Sequence, residues 1–220
     1  MELSKRLYAE FFGTMILVFA GTGAIITEQL TGAVTHAGIA LTFGAVVMAL
    51  IYTLGHISGA HFNPAVTIAF SVAGEFDKKE VLPYSLAQVG GGIAASALLY
   101  ALFAEDITAM ASVGYLGATL PRGSWMQSFG FEFVLTFILM LVIFGSAVHA
   151  KAVKKAAGLA IGATVGLEAM FAGPICGASM NPARSIGPAL ISGHFEHLWL
   201  YIVATVLGAV AAVFAYRLMR

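Results

Sequence analysis

Six stretches of this chain run to membrane-crossing length with almost no charge: about 7–27, 34–55, 81–104, 125–149, 156–173 and 197–216. A spanning helix needs about 20 mostly apolar residues, because that length covers the hydrocarbon layer of a bilayer. With no water there to bond the backbone, such runs must satisfy their own N–H and C=O groups, as helices do. Composition agrees: 60% of the residues are hydrophobic and 10% are charged, against about 25% charged in soluble domains. The formal net charge is zero, which removes the case for a nucleic-acid partner. The single cysteine, Cys176, rules out an intramolecular disulfide.

The opening MELSKRLYAEFFGTMILVFAG sets Lys5 and Arg6 before an apolar run, as a secretory signal does. Glu10 lies inside that run, and the same pattern recurs mid-chain, so the stretch reads as the first span. Walking through six spans from a cytoplasmic N-terminus places Lys5, Arg6, Lys78, Lys79, Lys151, Lys154, Lys155, Arg217 and Arg220 inside. Only Arg122 falls outside, and Arg184 is left in the membrane region. Positive charge marks the cytoplasmic side, so both termini are expected there. Short loops and termini point to a prokaryotic inner membrane.

The chain repeats itself. AEFFGT (9–14) matches FEFVLT (131–136), ISGAHFNPAVT (57–67) matches ICGASMNPARS (175–185), and PYSLAQVGGG (83–92) loosely matches LYIVATVLGA (200–209), at offsets of 122, 118 and 117. Repeats of about 1–120 and 121–220 follow, within one transmembrane domain of 1–220. Each holds three spans. Three is odd, so the second half enters the membrane from the opposite side, an arrangement typical of transport folds. Gly158, Gly162 and Gly166 form a row on the fifth span, and Gly90, Gly91 and Gly92 crowd the third, as close helix packing requires.

Two further apolar stretches, about 63–73 and 181–191, are too short to span and read as re-entrant segments. Each starts with Asn-Pro-Ala: Asn63, Pro64 and Ala65, then Asn181, Pro182 and Ala183. Asn is a favoured N-cap and Pro a favoured first helical residue. The small residues before them suit irregular backbone, which survives at membrane depth only where protein buries it or water lines it. Gly59, Ala60, His61, Gly177, Ser179 and Met180 are therefore candidates to turn carbonyls to a lumen. Because the halves are inverted, two positive helix N-termini should meet near the midplane. Each Asn oxygen would cap its own helix and leave the NH2 to donate inward. Water oxygen suits such a waist; a cation does not.

With these motifs the chain resembles the aquaporin, or major intrinsic protein, family across essentially its whole length. HFNPAVT and SMNPARS look like that family's two signature loops, and AEFFGT and AQVGGG also fit. Aquaporin-type pores are already understood to exclude protons and cations by an Arg or by positive half-helix ends. The resemblance implies an all-α fold, a right-handed bundle of six helices with two half-helices. It implies a homotetramer with one pore per subunit that passes water or small neutral solutes passively, without a cofactor or a metal. The family's filter positions fall, by spacing, on Phe43, Ala169, Ala178 and Arg184. Strict water channels usually carry His where this chain has Ala169, so the constriction should be wider and more apolar. FAGPICGASMNPARSIGPA looks especially like the nodulin-26-like branch, whose members pass glycerol, metalloid hydroxides or other small neutral solutes. Ser185 stands where glycerol facilitators usually have Asp. Thr205 stands where many relatives have Pro, with no functional account.

Arg184 is an isolated charge beside a loop, which marks a functional position. Glu10 and Glu132, at equivalent repeat positions, are expected to brace the loops by accepting their N–H groups. Glu168 has no repeat mate; it either pairs with another buried group or lies at the vestibule. Cys176, near the filter loop, is a candidate for mercurial attack. Two other classes remain. A secondary transporter would need a coupling carboxylate at the loops, and none is obvious. A scaffold would need neither Arg184 nor small filter residues. Paired carboxylates, a nucleophile elbow and a phosphate loop are missing, so an enzyme is not expected.

Overall fold

The computed structural model describes residues 1–219. Arg220, counted above among the cytoplasmic charges, lies outside the described residues. Among the described residues the chain is helical and has no strands. The helices in order are α1 (Leu3–Thr31), α2 (Thr35–Ser58), α3 (Pro64–Ala73), α4 (Val81–Leu102), α5 (Trp125–Ile143), α6 (Ala157–Cys176), α7 (Pro182–Ser192) and α8 (Leu198–Met219). Six are long and apolar enough to cross a membrane, and α3 and α7 are not. Helices α1, α2, α6 and α8 overrun the uncharged runs by a few residues, while α4 and α5 end short of theirs. At 29 residues, α1 is about 44 Å long, so its ends pass the hydrocarbon and carry Lys5, Arg6 and Glu28.

The side-chain distribution is inverted relative to a soluble protein. Leu41, Leu82, Leu86 and Leu167 are each more than 60% exposed, whereas Glu10, Gln88 and Glu132 are fully buried. Lipid takes the leucines at no cost, while polar groups must find partners inside the bundle.

The two halves interlock. Helix α1 packs on α4, and its repeat equivalent α5 packs on α8. The short α3 lies against α8 of the other half, and α7 lies against α4. Glycine makes these crossings possible. A Cβ on Gly91 would run into the Phe11 carbonyl, and a Cβ on Gly208 would run into the Phe133 carbonyl. Those two contacts are repeat images of each other. Between the halves, the glycine row of α6 faces α2, and a Cβ on Gly162 would sit 2.6 Å from the Gly44 carbonyl oxygen.

Both short helices start as their first residues dictate. The Asn63 side-chain oxygen accepts the Ala65 N–H at 2.9 Å, and Asn181 accepts the Ala183 N–H at 2.9 Å, with Pro as the first helical residue of each. Gly74 and Gly193 end them in the left-handed conformation, which costs glycine nothing.

Gly208→Ala should destabilise the fold by about 1–3 kcal/mol, because its methyl meets backbone that cannot step aside. Gly130→Ala, with open space around it, should be neutral or stabilise by up to about 1 kcal/mol. Thermal unfolding of the two variants in one detergent measures the difference.

Candidate functional site

The loops before the two short helices have nearly the same backbone. Gly59 and Gly177 have φ of 91° and 88°, Ala60 and Ala178 of 53° and 42°, and Phe62 and Met180 of 49° and 53°. Left-handed φ in a non-glycine residue costs of order 1–3 kcal/mol and persists only where the surroundings over-determine it. Here a buried carboxylate does so in each half. Glu10 accepts the His61 N–H at 3.0 Å and the Phe62 N–H at 2.7 Å. Glu132 accepts the Ser179 N–H at 2.8 Å and the Met180 N–H at 2.9 Å. Each clamp draws two successive N–H groups away from the axis. Ser58 Oγ and Gln88 Nε2 add hydrogen bonds of 2.6 Å and 2.7 Å to Glu10.

The two loops also hold each other. Asn63 Nδ2 donates to the Met180 carbonyl at 2.7 Å, and Asn181 Nδ2 donates to the Phe62 carbonyl at 2.8 Å. This corrects the reading of the NH2 groups as wholly free. One N–H of each amide is spent across the pseudo-two-fold, which leaves one for the lumen. The Met180 carbonyl likewise has a protein partner, as does that of Phe62, which the sequence reading did not single out. The crossed bonds bring the positive ends of α3 and α7 together at one level.

The loops line one side of a narrow cavity with Ala60, His61, Phe62, Asn63, Ala178, Ser179, Met180, Asn181 and Arg184. The other side is apolar, with Leu17 from α1, Phe43 and Val47 from α2, Leu139 and Ile143 from α5, and Val165 and Ala169 from α6. Its volume, about 60 Å3, is a few times the roughly 10–15 Å3 that one water requires, so it takes waters in a short file. Gly59 does not border it. Pro64, Ala65, Pro182 and Ala183 are buried in the first turns of α3 and α7 and serve as helix starts. His61 stacks on Phe70 with ring centroids 4.6 Å apart, and its Nδ1 lies 3.1 Å from Thr67 Oγ1.

Adjoining one end of the cavity is a vestibule of about 400 Å3, lined also by Gln29, His36, Ala118, Leu120 and Gly177. Four residues border both spaces: Phe43, Ala169, Ala178 and Arg184. The Arg184 guanidinium lies 5.2 Å from the centre of the Phe43 ring and donates to the Gly117 carbonyl at 2.7 Å. Its Nε has no protein partner. At this neck a solute meets one aromatic face, two methyl groups and a fixed cation.

Several contributors were not visible in the sequence. Gly117 lies between α4 and α5, in a segment without helical periodicity. Thr119, from the same segment, donates to Ser185 Oγ at 2.8 Å, and Ser185 Oγ lies 2.6 Å from Ser179 Oγ. Gln88 carried the one available signal, its place in the repeated AQVGGG. One expectation fails, and one candidate is set back from the lumen. Glu168 is neither paired nor at the vestibule: it is 4% exposed, both its oxygens lack a protein partner, and it borders neither space. Cys176 is fully buried, its thiol is 3.4 Å from the Ala172 carbonyl oxygen, and it borders neither space. Among the described residues no cluster of His, Cys, Asp and Glu is arranged to hold a metal.

Comparison with known proteins agrees with this geometry. The sequence profile described as "Major intrinsic protein" matches residues 1–216. "Aquaporin NIP1-3" of Oryza sativa subsp. japonica is 48% identical over 100% of this chain and 75% of its own length. "Nodulin-26" of Glycine max is 45% identical over 98% of this chain and 78% of its own length. Among solved structures, the aquaglyceroporin from Plasmodium falciparum superposes with a TM-score of 0.87 at 28% identity, covering 98% of this chain and 96% of that one. This chain is an integral, multi-pass membrane protein that belongs to the major intrinsic protein family.

Proposed function

We propose that the chain is a passive channel for water and small uncharged solutes, with glycerol, urea and metalloid hydroxides as the solute classes, and that it excludes protons and ions. The observation that carries this reading is the neck of Phe43, Ala169, Ala178 and Arg184 between lumen and vestibule. Two alanines opposite the ring and the guanidinium leave room for a solute larger than water. The remaining Arg184 donors, with loop carbonyls beyond them, offer hydroxyl groups both donors and acceptors. A cation meets the guanidinium first and then two positive helix ends, in a space too narrow to keep its hydration shell.

Asn63 and Asn181 orient water at the waist through their remaining N–H groups, and Ala60, His61 and Ser179 supply acceptors along the file. Residues 1–220 act as one channel domain with inverted halves. Both termini lie in the cytoplasm, supported by the distribution of Lys and Arg, and the chain resides in a cell or inner membrane. For a homotetramer with one pore in each subunit, the support is the family resemblance.

Stopped-flow light scattering on proteoliposomes tests this reading against empty vesicles. Water, glycerol, urea and boric acid should all cross faster in the presence of the protein, and an internal pH dye should report no added proton flux. Fluxes equal to those of empty vesicles would reject the channel, and accumulation driven by an ion gradient would indicate a transporter. Ala169→His narrows the neck with a polar ring. It should cut glycerol and boric acid permeability roughly tenfold or more and water permeability by less than about threefold, a steric discrimination of the usual size. Unchanged ratios would remove Ala169 from the neck.

A further inference from the structure

The duplication provides an internal comparison for the loop braces. Six side chains support the first loop: Arg6, Glu10, Ser58, Thr67, Tyr84 and Gln88. Arg6 Nε donates to Tyr84 Oη at 2.7 Å, Tyr84 Oη donates to the Ser58 carbonyl at 3.0 Å, and Ser58 Oγ donates to Glu10 at 2.6 Å. Gln88 Nε2 bridges Glu10 and Thr67 Oγ1 at 2.7 Å and 2.9 Å. Within this set only Gln88 Oε1 lacks a partner.

At the repeat offsets, the corresponding residues of the second half are Ser128, Glu132, Cys176, Ser185, Tyr201 and Thr205. Glu132 keeps its two loop N–H bonds, but the supporting donors have changed. Where Gln88 reaches Glu10, Thr205 turns back to the Tyr201 carbonyl at 2.6 Å. Where Ser58 donates, the Cys176 thiol, a weaker donor, is shared between Glu132 and the Ala172 carbonyl. Where Arg6 meets Tyr84, Ser128 is too short to reach Tyr201. Ser128 Oγ and Tyr201 Oη are therefore left without protein partners, though both residues are fully buried. Glu168, which has no counterpart in the first half, adds a carboxyl with two unpartnered oxygens. Glu132 lies within electrostatic reach of Glu168, Tyr201 and Arg184, and Ser128 is one helical turn before it on the same buried face of α5.

Buried polar atoms left unpaired are costly, and a buried carboxyl with no partner is the most costly of them. Water is the ligand that fits. It both donates and accepts, and a buried water typically makes about three hydrogen bonds. We propose that Glu168, Ser128 and Tyr201 enclose an internal site for ordered water behind the neck, and that this water supplies Glu132 with the donor that Gln88 gives to Glu10. Water hydrogens point to the carboxyl oxygens of Glu132 and Glu168, and the hydroxyls of Tyr201 and Ser128 donate to water oxygen. Glu168 is then a positioning residue. It acts through water on Glu132, through Glu132 on the left-handed loop, and so on Ala178 and Arg184 at the neck.

Two measurements test the site. A crystal structure of the native protein, at a resolution that shows ordered water, should place water within hydrogen-bond distance of Glu168 and of Tyr201 or Ser128. A dry pocket there overturns the proposal, whatever the protein conducts. In proteoliposomes, Glu168→Leu should lower per-channel water and glycerol permeability roughly three- to tenfold, as expected for loss of a hydrogen-bonded support. Glu168→Gln, which still holds water by hydrogen bonds, should restore most of that rate. Flux in Glu168→Leu equal to the native rate, or Glu168→Gln as impaired as Glu168→Leu, would overturn the positioning role. If the leucine variant does not fold, the crystallographic result decides.

Discussion

Two buried carboxylates determine the form of the pore. The loops before α3 and α7 carry left-handed residues that would relax in a free peptide, at roughly 1–3 kcal/mol each. Glu10 and Glu132 hold them with paired hydrogen bonds to successive N–H groups. A hydrogen bond to a charged group contributes about 1.5–3 kcal/mol, so each pair offsets the strain of its loop. The direction of the bonds matters as much as their strength. With the N–H groups drawn outward, the alternating backbone turns carbonyls inward. The clamp thereby produces both the irregular backbone and the acceptors that water uses.

The rest of the bundle follows from keeping those loops at membrane depth. A re-entrant segment cannot face lipid, so α3 and α7 are each covered by a long helix of the opposite half. Where α7 crosses α4, glycine makes the close cover possible: a Cβ on Gly92 would run into the Ala183 carbonyl, and one on Gly187 into the Gly92 carbonyl. The lumen has only one polar side. In the proposed channel, water moving along it trades bonds with a single stripe of carbonyls, Asn N–H groups and Arg184, while the apolar side offers nothing to hold it. Weak, spaced binding is what allows fast conduction.

Much of this was legible in the sequence, and the limits have physical causes. Spans can be read from the absence of charge, since lipid penalises charge strongly; their ends cannot, because helices continue through the headgroup region, as α1 does from Leu3 to Thr31. The helix starts at Asn63 and Asn181 are local chemistry and were visible. The second bond of each Asn was not. It goes to a carbonyl more than a hundred residues away, which only the folded pseudo-two-fold brings near. Gly117 and Thr119 were hidden for a related reason: a connecting segment without periodicity gives no sign of which carbonyl or hydroxyl will face Arg184. Glu168 was visible as an anomaly, but its environment was not, because both of the partners considered for it were protein or solvent at the mouth.

The duplication also explains why the pore is symmetric at its waist and asymmetric at its ends. Asn63 and Asn181 are repeat mates and make the same pair of bonds. The repeat mate of Arg184 is Val66, which also borders the lumen. Two arginines, one on each side of two positive helix ends, would leave solutes no neutral approach. With valine on one side, the proposed channel has its cation barrier at the centre and its recognition of solute shape and hydroxyl groups at the neck beside Arg184. On the proposed reading, size selection and charge exclusion thus occupy separate places along the path. The neck can be widened by alanine at positions 169 and 178 without weakening the electrostatics of the waist, because the helix ends and their asparagines are held by bonds that those two side chains do not touch.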